Sequence, residues 1–309
     1  MENINKIYVA GHNGMVGKAL ISKLKQSGFS KIITANSKNL NLKNQEKTSQ
    51  FLMDTKPDYV FLIAAKVGGI QANIDNPATY LYDNLMIQSN VINSAKNANV
   101  KKLLFIGSSC IYPRLSKQPM IEEYLLNGPL EPTNEAYALA KISGIKLCQY
   151  YNKQYNCNFN SVIPPNIFGP NDNFSYNSSH VISALIRKTH EAKIDSKKKL
   201  KIWGTGSARR EFIYSEDLAE GLIFMMKNNF MEPYINIGSG YDVSIKELAQ
   251  LIKLIVGYKG TFFWDASKPD GMPQKLMDSS KARKFNWKIK TSLEEGIQKT
   301  YQWYLNNLS

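Results

Sequence analysis

The 309 residues predict an α/β protein: a doubly wound parallel sheet with a smaller C-terminal α/β unit. Three features point there. An apolar strand runs straight into three spaced glycines and a helix at the start of the chain. Short β-branched runs then alternate with helical segments to about residue 165. From Pro170 onward, prolines, asparagines and glycines punctuate shorter elements. The expected organisation is a nucleotide-binding unit over 1–169 and a mainly substrate-binding unit over 170–309, with segments near 212–240 returning to the first.

Residues 4–10 are β-branched and apolar enough for a buried strand, and Gly11-His12-Asn13-Gly14-Met15-Val16-Gly17 follows at once. A helix over 16–26, ending at Gly28, completes a strand, turn and helix with G-x-x-G-x-x-G spacing. Glycines let a backbone turn tightly and approach a pyrophosphate closely, and a helix N-terminus offers it free N–H groups. Gly11, Gly14, Met15, Val16 and Gly17 are therefore candidate dinucleotide contacts.

The alternation continues with strands at 31–34, 58–65, 102–107 and 159–163, and helices at 44–55, 80–98 and 134–155. Such an order predicts a Rossmann-type parallel sheet, whose ligands bind at the carboxyl ends of the strands. Ser108-Ser109-Cys110 leaves the sheet at that edge, as does 166–169. Beyond it the pattern gives a helix near 180–191, a strand at 200–203, a turn at Gly204-Thr205-Gly206, an apolar segment at 212–214, and helices at 215–227, 244–256 and 293–308. In the last, Leu293, Ile297, Tyr301, Tyr304 and Leu308 form a helical stripe suited to the core.

Within the 134–155 helix, Tyr137 and Lys141 stand four residues apart and share a face. A cation close to a phenol favours the phenolate and eases proton donation, so the pair is acid–base equipment. Alone, the same spacing also describes an ordinary surface helix.

The formal net charge of +14 suits an acidic partner. The lysines are spread along the chain, and the one dense run, Lys197-Lys198-Lys199 with Lys201, reads as a solvated loop rather than a nucleic-acid surface. Three cysteines, no apolar run of membrane length and no cleavable signal pattern in residues 1–6 predict a cytoplasmic protein with no membrane partner.

Gly11 to Gly17, the strand-end Ser108 or Ser109, and Tyr137 with Lys141 resemble the extended short-chain dehydrogenase/reductase superfamily. Longer stretches narrow the likeness. Lys66-Val67-Gly68-Gly69-Ile70, Gly107-Ser108-Ser109-Cys110-Ile111-Tyr112-Pro113, Leu130-Glu131-Pro132-Thr133-Asn134-Glu135, Asp172-Asn173-Phe174 and the segment from Asp265 to Gly271 resemble the GDP-L-fucose synthase family over nearly the whole chain.

That resemblance implies a GDP-4-keto-6-deoxy-mannose substrate, inverted at C3 and C5 and reduced at C4, and no metal. A keto group acidifies the hydrogens on its neighbouring carbons, so a base and an acid on opposite faces can invert each centre. The resemblance gives Cys110 and His180 these tasks, Tyr137 the protonation of the C4 oxygen, Lys141 support of the phenol and a hold on the nicotinamide ribose, and Ser108 a hydrogen bond to the keto oxygen. It gives Arg187 and Arg210 to phosphates, with Ser109, Asn166, Val181, Trp203 and Asp278 also lining the substrate groove, and Pro164, Asn166, Ile167 and His180 as further cofactor contacts. Each has a plainer alternative: Cys110 a small core residue, His180 a helix cap, Ser108 a turn former with Ser109 as its rival, Trp203 a core aromatic. Arg209 competes with Arg210 through a one-residue slip.

The implied cofactor is NADPH. The family's phosphate-reading arginines are replaced here by Asn13, Ala35 and Ser37, yet no acid ends the second strand to hold a free ribose 2'-hydroxyl, and Ser37 and Lys38 remain for a phosphate. Pro164-Pro165-Asn166 and Gln274 also depart from the family pattern. The resemblance further suggests a homodimer through the 80–98 and 134–155 helices. Two other readings stay open at this point: a related 4-epimerase that recycles its cofactor, and a basic nucleic-acid-binding or regulatory protein on a dinucleotide fold.

Overall fold

Strand β1 (Ile7–Ala10) is buried along its whole length, as a strand covered on both faces in the middle of a sheet must be. In the computed structural model, which describes every residue except Asn177, Met231 and Ser309, it lies between β2 (Ile32–Ile33) and β3 (Tyr59–Leu62). All pairings are parallel, with Ile7 in register with Ile32 on one side and Tyr59 on the other. β4 (Lys102–Ile106) and β5 (Phe159–Ile163) extend the sheet. The helices of this half are α1 (Met15–Gln26), α2 (Gln45–Thr55), α3 (Ile70–Asp75), α4 (Pro77–Asn97) and α5 (Glu135–Tyr155).

The second half runs through β6 (Asn166–Phe168), α6 (Val181–Ile194), β7 (Lys199–Trp203), β8 (Arg209–Tyr214), α7 (Ser215–Lys227) and β9 (Tyr234–Asn236). It ends with β10 (Asp242–Ser244), α8 (Ile245–Val256), β11 (Thr261–Asp265), β12 (Gln274–Lys275), α9 (Ser280–Lys284) and α10 (Leu293–Asn307). Strand β9 returns to pair with β5, giving the six-stranded order β2-β1-β3-β4-β5-β9. A smaller sheet has β8 at its centre, flanked by β10 and β12 and joined by β6, while β7 pairs with β11.

Each face of the large sheet carries its own core. Leu20 and Leu24 of α1 meet Leu218, Leu222 and Met225 of α7 on one side. On the other, Leu52 of α2, Val91 and Ile92 of α4, and Ile145 and Cys148 of α5 pack together. Full burial of one such leucine stabilises by roughly 1.5–3 kcal/mol. Thus, of the 212–240 stretch, α7 and β9 join the large sheet, but β8 centres the small one. A third cluster joins Ile182, Leu185 and Ile186 of α6 to Leu248 and Ile252 of α8 and to Leu293, Ile297, Tyr301 and Tyr304 of α10. Leu308, expected to continue that stripe, lies beyond the helix and is exposed.

Boundaries moved where side chains cap or an edge frays. The 31–34 strand shrinks to two half-buried residues because it has a partner on one side alone. Pro132–Asn134 forms a 3-10 turn, so α5 begins at Glu135. α8 starts behind a capping box in which the Ser244 side chain accepts from the Glu247 N–H and Glu247 reaches back.

Residues 276–278 tie the lobes together. Met277 N–H donates to the Glu211 carboxylate of β8 at 2.8 Å. Asp278 N–H donates to the Met120 carbonyl at 2.8 Å, and Asn236 Nδ2 of β9 donates to the carbonyls of both Met120 and Asp278. Among the described residues no helix is long and apolar enough to cross a membrane.

Candidate active site

β1 and β3 carry the chain to opposite sides of the sheet, and a crevice opens at their carboxyl ends. It deepens into a cavity of about 960 Å³ reaching from the glycine turn across the ends of β4 and β5 to the small sheet. Gly11 holds φ +95°, and a Cβ there would fall 2.6 Å from Ala64 N. At Gly17 a Cβ would fall 2.2 Å from the Gly11 carbonyl, so only glycine lets α1 start this close under the turn. No side chain caps the N-terminus of α1 at Gly14, which leaves its N–H groups free for an anion, and Met15 and Val16 line the same wall. This cradle fits a dinucleotide pyrophosphate.

Ser108, Ser109 and Cys110 turn out of β4 at the cavity wall, as expected from the strand end. The Ser108 hydroxyl accepts from Cys110 N–H at 3.5 Å. Tyr137 and Lys141 enter from the first turns of α5, one helical turn apart. Lys141 is 2 % exposed, and its Nζ donates to the Ile106 carbonyl at 2.7 Å and lies 5.8 Å from the Tyr137 ring centre. Burial pushes this lysine down to about 8. Tyr137 is raised, not lowered: burial pushes the phenol above its ordinary value, with Cys110 and Tyr80 adding to the effect. The expected lowering by Lys141 is not seen, because burial dominates the phenol. The phenol stays protonated at neutral pH, as a proton donor must.

His180 precedes α6 without capping it. Its side chain is exposed and lines the cavity opposite Cys110's strand, with Asp172 facing it electrostatically. Burial raises the Asp172 carboxyl, and His180 works against that rise. Pro164, Asn166 and Ile167 line the cavity beyond β5, where Asn166 Nδ2 donates to the Glu211 carbonyl at 3.0 Å.

On the far side Val181, Trp203 and Arg210 also line it. Trp203 is held by Nε1 donating to the Pro269 carbonyl at 2.8 Å, with Lys268 above its ring. Arg210 donates to the Asp270 carbonyl at 3.0 Å, and burial pushes its guanidinium down to about 10. Arg209, its rival, is committed to Asp242 at 2.8 Å and to Glu247.

Three expected residues lie off this wall. Arg187 is buried with its guanidinium on Glu191 at 3.1 Å and 3.7 Å from the Tyr176 ring centre. Val181, Ile182, Ala184, Leu185 and Lys188 are the residues of α6 that line the cavity, and Arg187 is not among them. Lys188 lines the cavity, while the Arg187 guanidinium lies against Tyr176, itself a lining residue, with Nε and Nη2 unpaired among the described residues. The Asp278 carboxylate caps Ser280 N–H at 2.7 Å, whereas Asp270 reaches the cavity. Lys38 is exposed beside the crevice and Ser37 lines it. Lys275 was missed altogether: it is buried at the cavity wall, and no local pattern marks a lysine as buried.

A model of the NAD dependent epimerase/dehydratase family matches residues 7–238. The chain belongs to this family. Within the NAD dependent epimerase/dehydratase family it is 50% identical over 308 residues to a putative GDP-L-fucose synthase 2 of Arabidopsis thaliana, covering 100% of this chain and 94% of the relative. A solved GDP-6-OMe-4-keto-L-xylo-heptose reductase from C. jejuni superimposes with a TM-score of 0.95 at 39% identity, covering 99% of both chains. A GDP-L-fucose synthetase from Naegleria fowleri bound to NADP gives 0.92 at 32% identity, covering 99% of this chain and 94% of that one. The Rossmann-type fold expected from the strand and helix order is the fold of these relatives.

Proposed function

We propose that the chain makes GDP-L-fucose from GDP-4-keto-6-deoxy-D-mannose by 3,5-epimerisation and NADPH-dependent 4-reduction. The observation that carries this reading is one cavity lined by the glycine turn, the Tyr137–Lys141 pair, Cys110 and His180 together. The full-length similarity to a GDP-L-fucose synthase relative supports it.

The turn from Gly11 to Gly17 and the N-terminus of α1 hold the pyrophosphate of NADPH, and Ser37 meets its adenosine end. When bound, NADPH supplies the hydride for C4. Arg210 and Lys188 hold the GDP diphosphate, and Trp203 offers a flat face to the nucleotide sugar.

Cys110 as thiolate takes the proton from C3 or C5, and the C–H electrons move into the enolate while the sulfur becomes a thiol. Protonated His180 returns a proton to the opposite face of the same carbon and becomes neutral. Exchange with water restores both groups before the second centre reacts. For reduction, Ser108 donates a hydrogen bond to the C4 oxygen and Tyr137 gives that oxygen its proton as the alkoxide forms. The Lys141 ammonium then stabilises the phenolate left behind.

Incubation with GDP-4-keto-6-deoxy-D-mannose and NADPH in heavy water tests the reading. The expected product is GDP-L-fucose carrying deuterium at C3 and C5. The similarity to the heptose reductase favours a second reading, 4-reduction alone. A reduced sugar without deuterium at either centre selects it and sinks the first.

We also infer a cytoplasmic homodimer. Tyr82 on α4 and Leu139 and Tyr150 on α5 leave apolar surface exposed on the helices expected to pair. Light scattering at the monomer mass would sink the dimer.

A further inference from the structure

Lys275 sits on β12, in register with Arg210 of β8, and is only 9 % exposed. It lines the cavity with Cys110, itself 4 % exposed. Among the described residues its side-chain nitrogen makes no hydrogen bond and no ion pair. Burial holds this lysine below its ordinary value, and Cys110 works against that lowering. The groups facing it are Cys110, the Arg210 cation and Glu131. Glu131 is already engaged, with Oε2 on Arg114 Nε at 3.1 Å and Oε1 accepting from the Thr133 hydroxyl at 3.1 Å. Of the chain's own groups that act on Lys275, the Cys110 thiol is the one left that can become an anion.

We propose that Lys275 is a positioning residue for Cys110, its unpaired ammonium supplying the charge that lets the buried sulfur act as a base. This rests on the epimerase reading of Cys110. Seen from the sulfur, the neighbouring groups are Lys275 from β12, the Ser108 hydroxyl, and Tyr137 and Lys141 from α5. Burial pushes the thiol up, and Lys275 pulls it back more than Ser108 or Lys141 does. Lys141 is turned to the Ile106 carbonyl and serves the phenol, so the two lysines divide the cavity between its two proton-transferring groups. The transfers are of protons alone: Cys110 gives its proton to solvent beside the Lys275 ammonium, takes the substrate proton, and returns to the thiol.

The test is the pH dependence of Cys110 alkylation by iodoacetamide, followed peptide by peptide so that half-exposed Cys157 serves as internal control. In Lys275→Met and Lys275→Gln the Cys110 profile should move up by about one pH unit or more, with Cys157 unchanged. Lys275→Arg, which keeps the charge, should stay near the wild-type profile. Deuterium uptake at C3 and C5 at neutral pH should fall about tenfold in the neutral variants and recover as pH rises. An unmoved Cys110 profile in either neutral variant overturns the proposal. If both fail to fold, an arginine variant whose profile rises overturns it equally. Cys110→Ser separates the two claims: wild-type deuterium uptake there rejects Cys110 as the base, while the alkylation profile judges Lys275 independently.

Discussion

The ammonium of Lys141 donates to the backbone carbonyl of Ile106, the last residue of β4, at 2.7 Å. The bond anchors α5 to the strand end from which Ser108 and Cys110 emerge, so the reducing and epimerising groups share one support. The arrangement also fixes a pH dependence. Lys141 is held near 8 in the folded chain against an ordinary lysine value of 10.5. Between those values the unfolded chain binds more protons, so this residue makes stability rise with pH from about 8 to about 10.5, and its full burial cost is present below about 8. Reduction should decline over the start of the same window as the cation is lost. Lys141→Met should abolish reduction yet remove the stability rise, read by denaturant unfolding at several pH values. A rise that persists in this variant would reject the assignment.

Tyr137→Phe should lower the reduction rate by about 10²-fold or more while leaving deuterium uptake at C3 and C5 in place. Cys110→Ser should do the reverse, suppressing uptake. Parallel loss of both activities in each variant would contradict the division of labour.

On α6, Lys188 faces the cavity and Arg187 faces Glu191. Lys188→Met should raise KM for the GDP-sugar about tenfold with little change in thermal stability. Arg187→Met should leave KM alone but lower stability by about 1 kcal/mol, because it removes the stack on Tyr176 and the ion pair with half-exposed Glu191. Exchanged phenotypes in steady-state kinetics and melting would reverse the assignment.

Ser37 lines the crevice where the ribose 2'-phosphate of NADPH is expected. Ser37→Glu should lower the preference for NADPH over NADH by about tenfold or more through charge repulsion. Equal kcat/KM ratios in variant and wild type would place the phosphate elsewhere.

What could be read directly from the chain was local. The glycine turn, the strand-end serines and the Tyr137–Lys141 pair depend on spacings within one or two turns, and backbone periodicity translates those into geometry. That Lys188 lines the cavity could not be read, because the phase of α6 against it is set by Ile182, Leu185 and Ile186 packing on α8 and α10, more than fifty residues away. Asp278 was expected at the groove, and Asp270 is the acid that lines the cavity, because the placing of either depends on how 269–278 wraps around β8. The burial of Lys275 comes from a two-residue strand added to that sheet, too short to announce itself. The return of segments near 212–240 to the large sheet was expected, but that β9 does so by pairing with β5 while β8 centres the small sheet rests on long-range contacts.

The ties from Met277 to Glu211 and from Asn236 to Asp278 fasten the small sheet to the large one at the back of the crevice. These bonds would have to break for the two halves to hinge apart, so the cleft is expected to keep its shape on binding. A sugar inverted at C3 and at C5 would then have to present each centre in turn to the same fixed groups. Small-angle scattering curves with and without GDP-sugar should accordingly superimpose; a measurable contraction on binding would show a clam-shell instead.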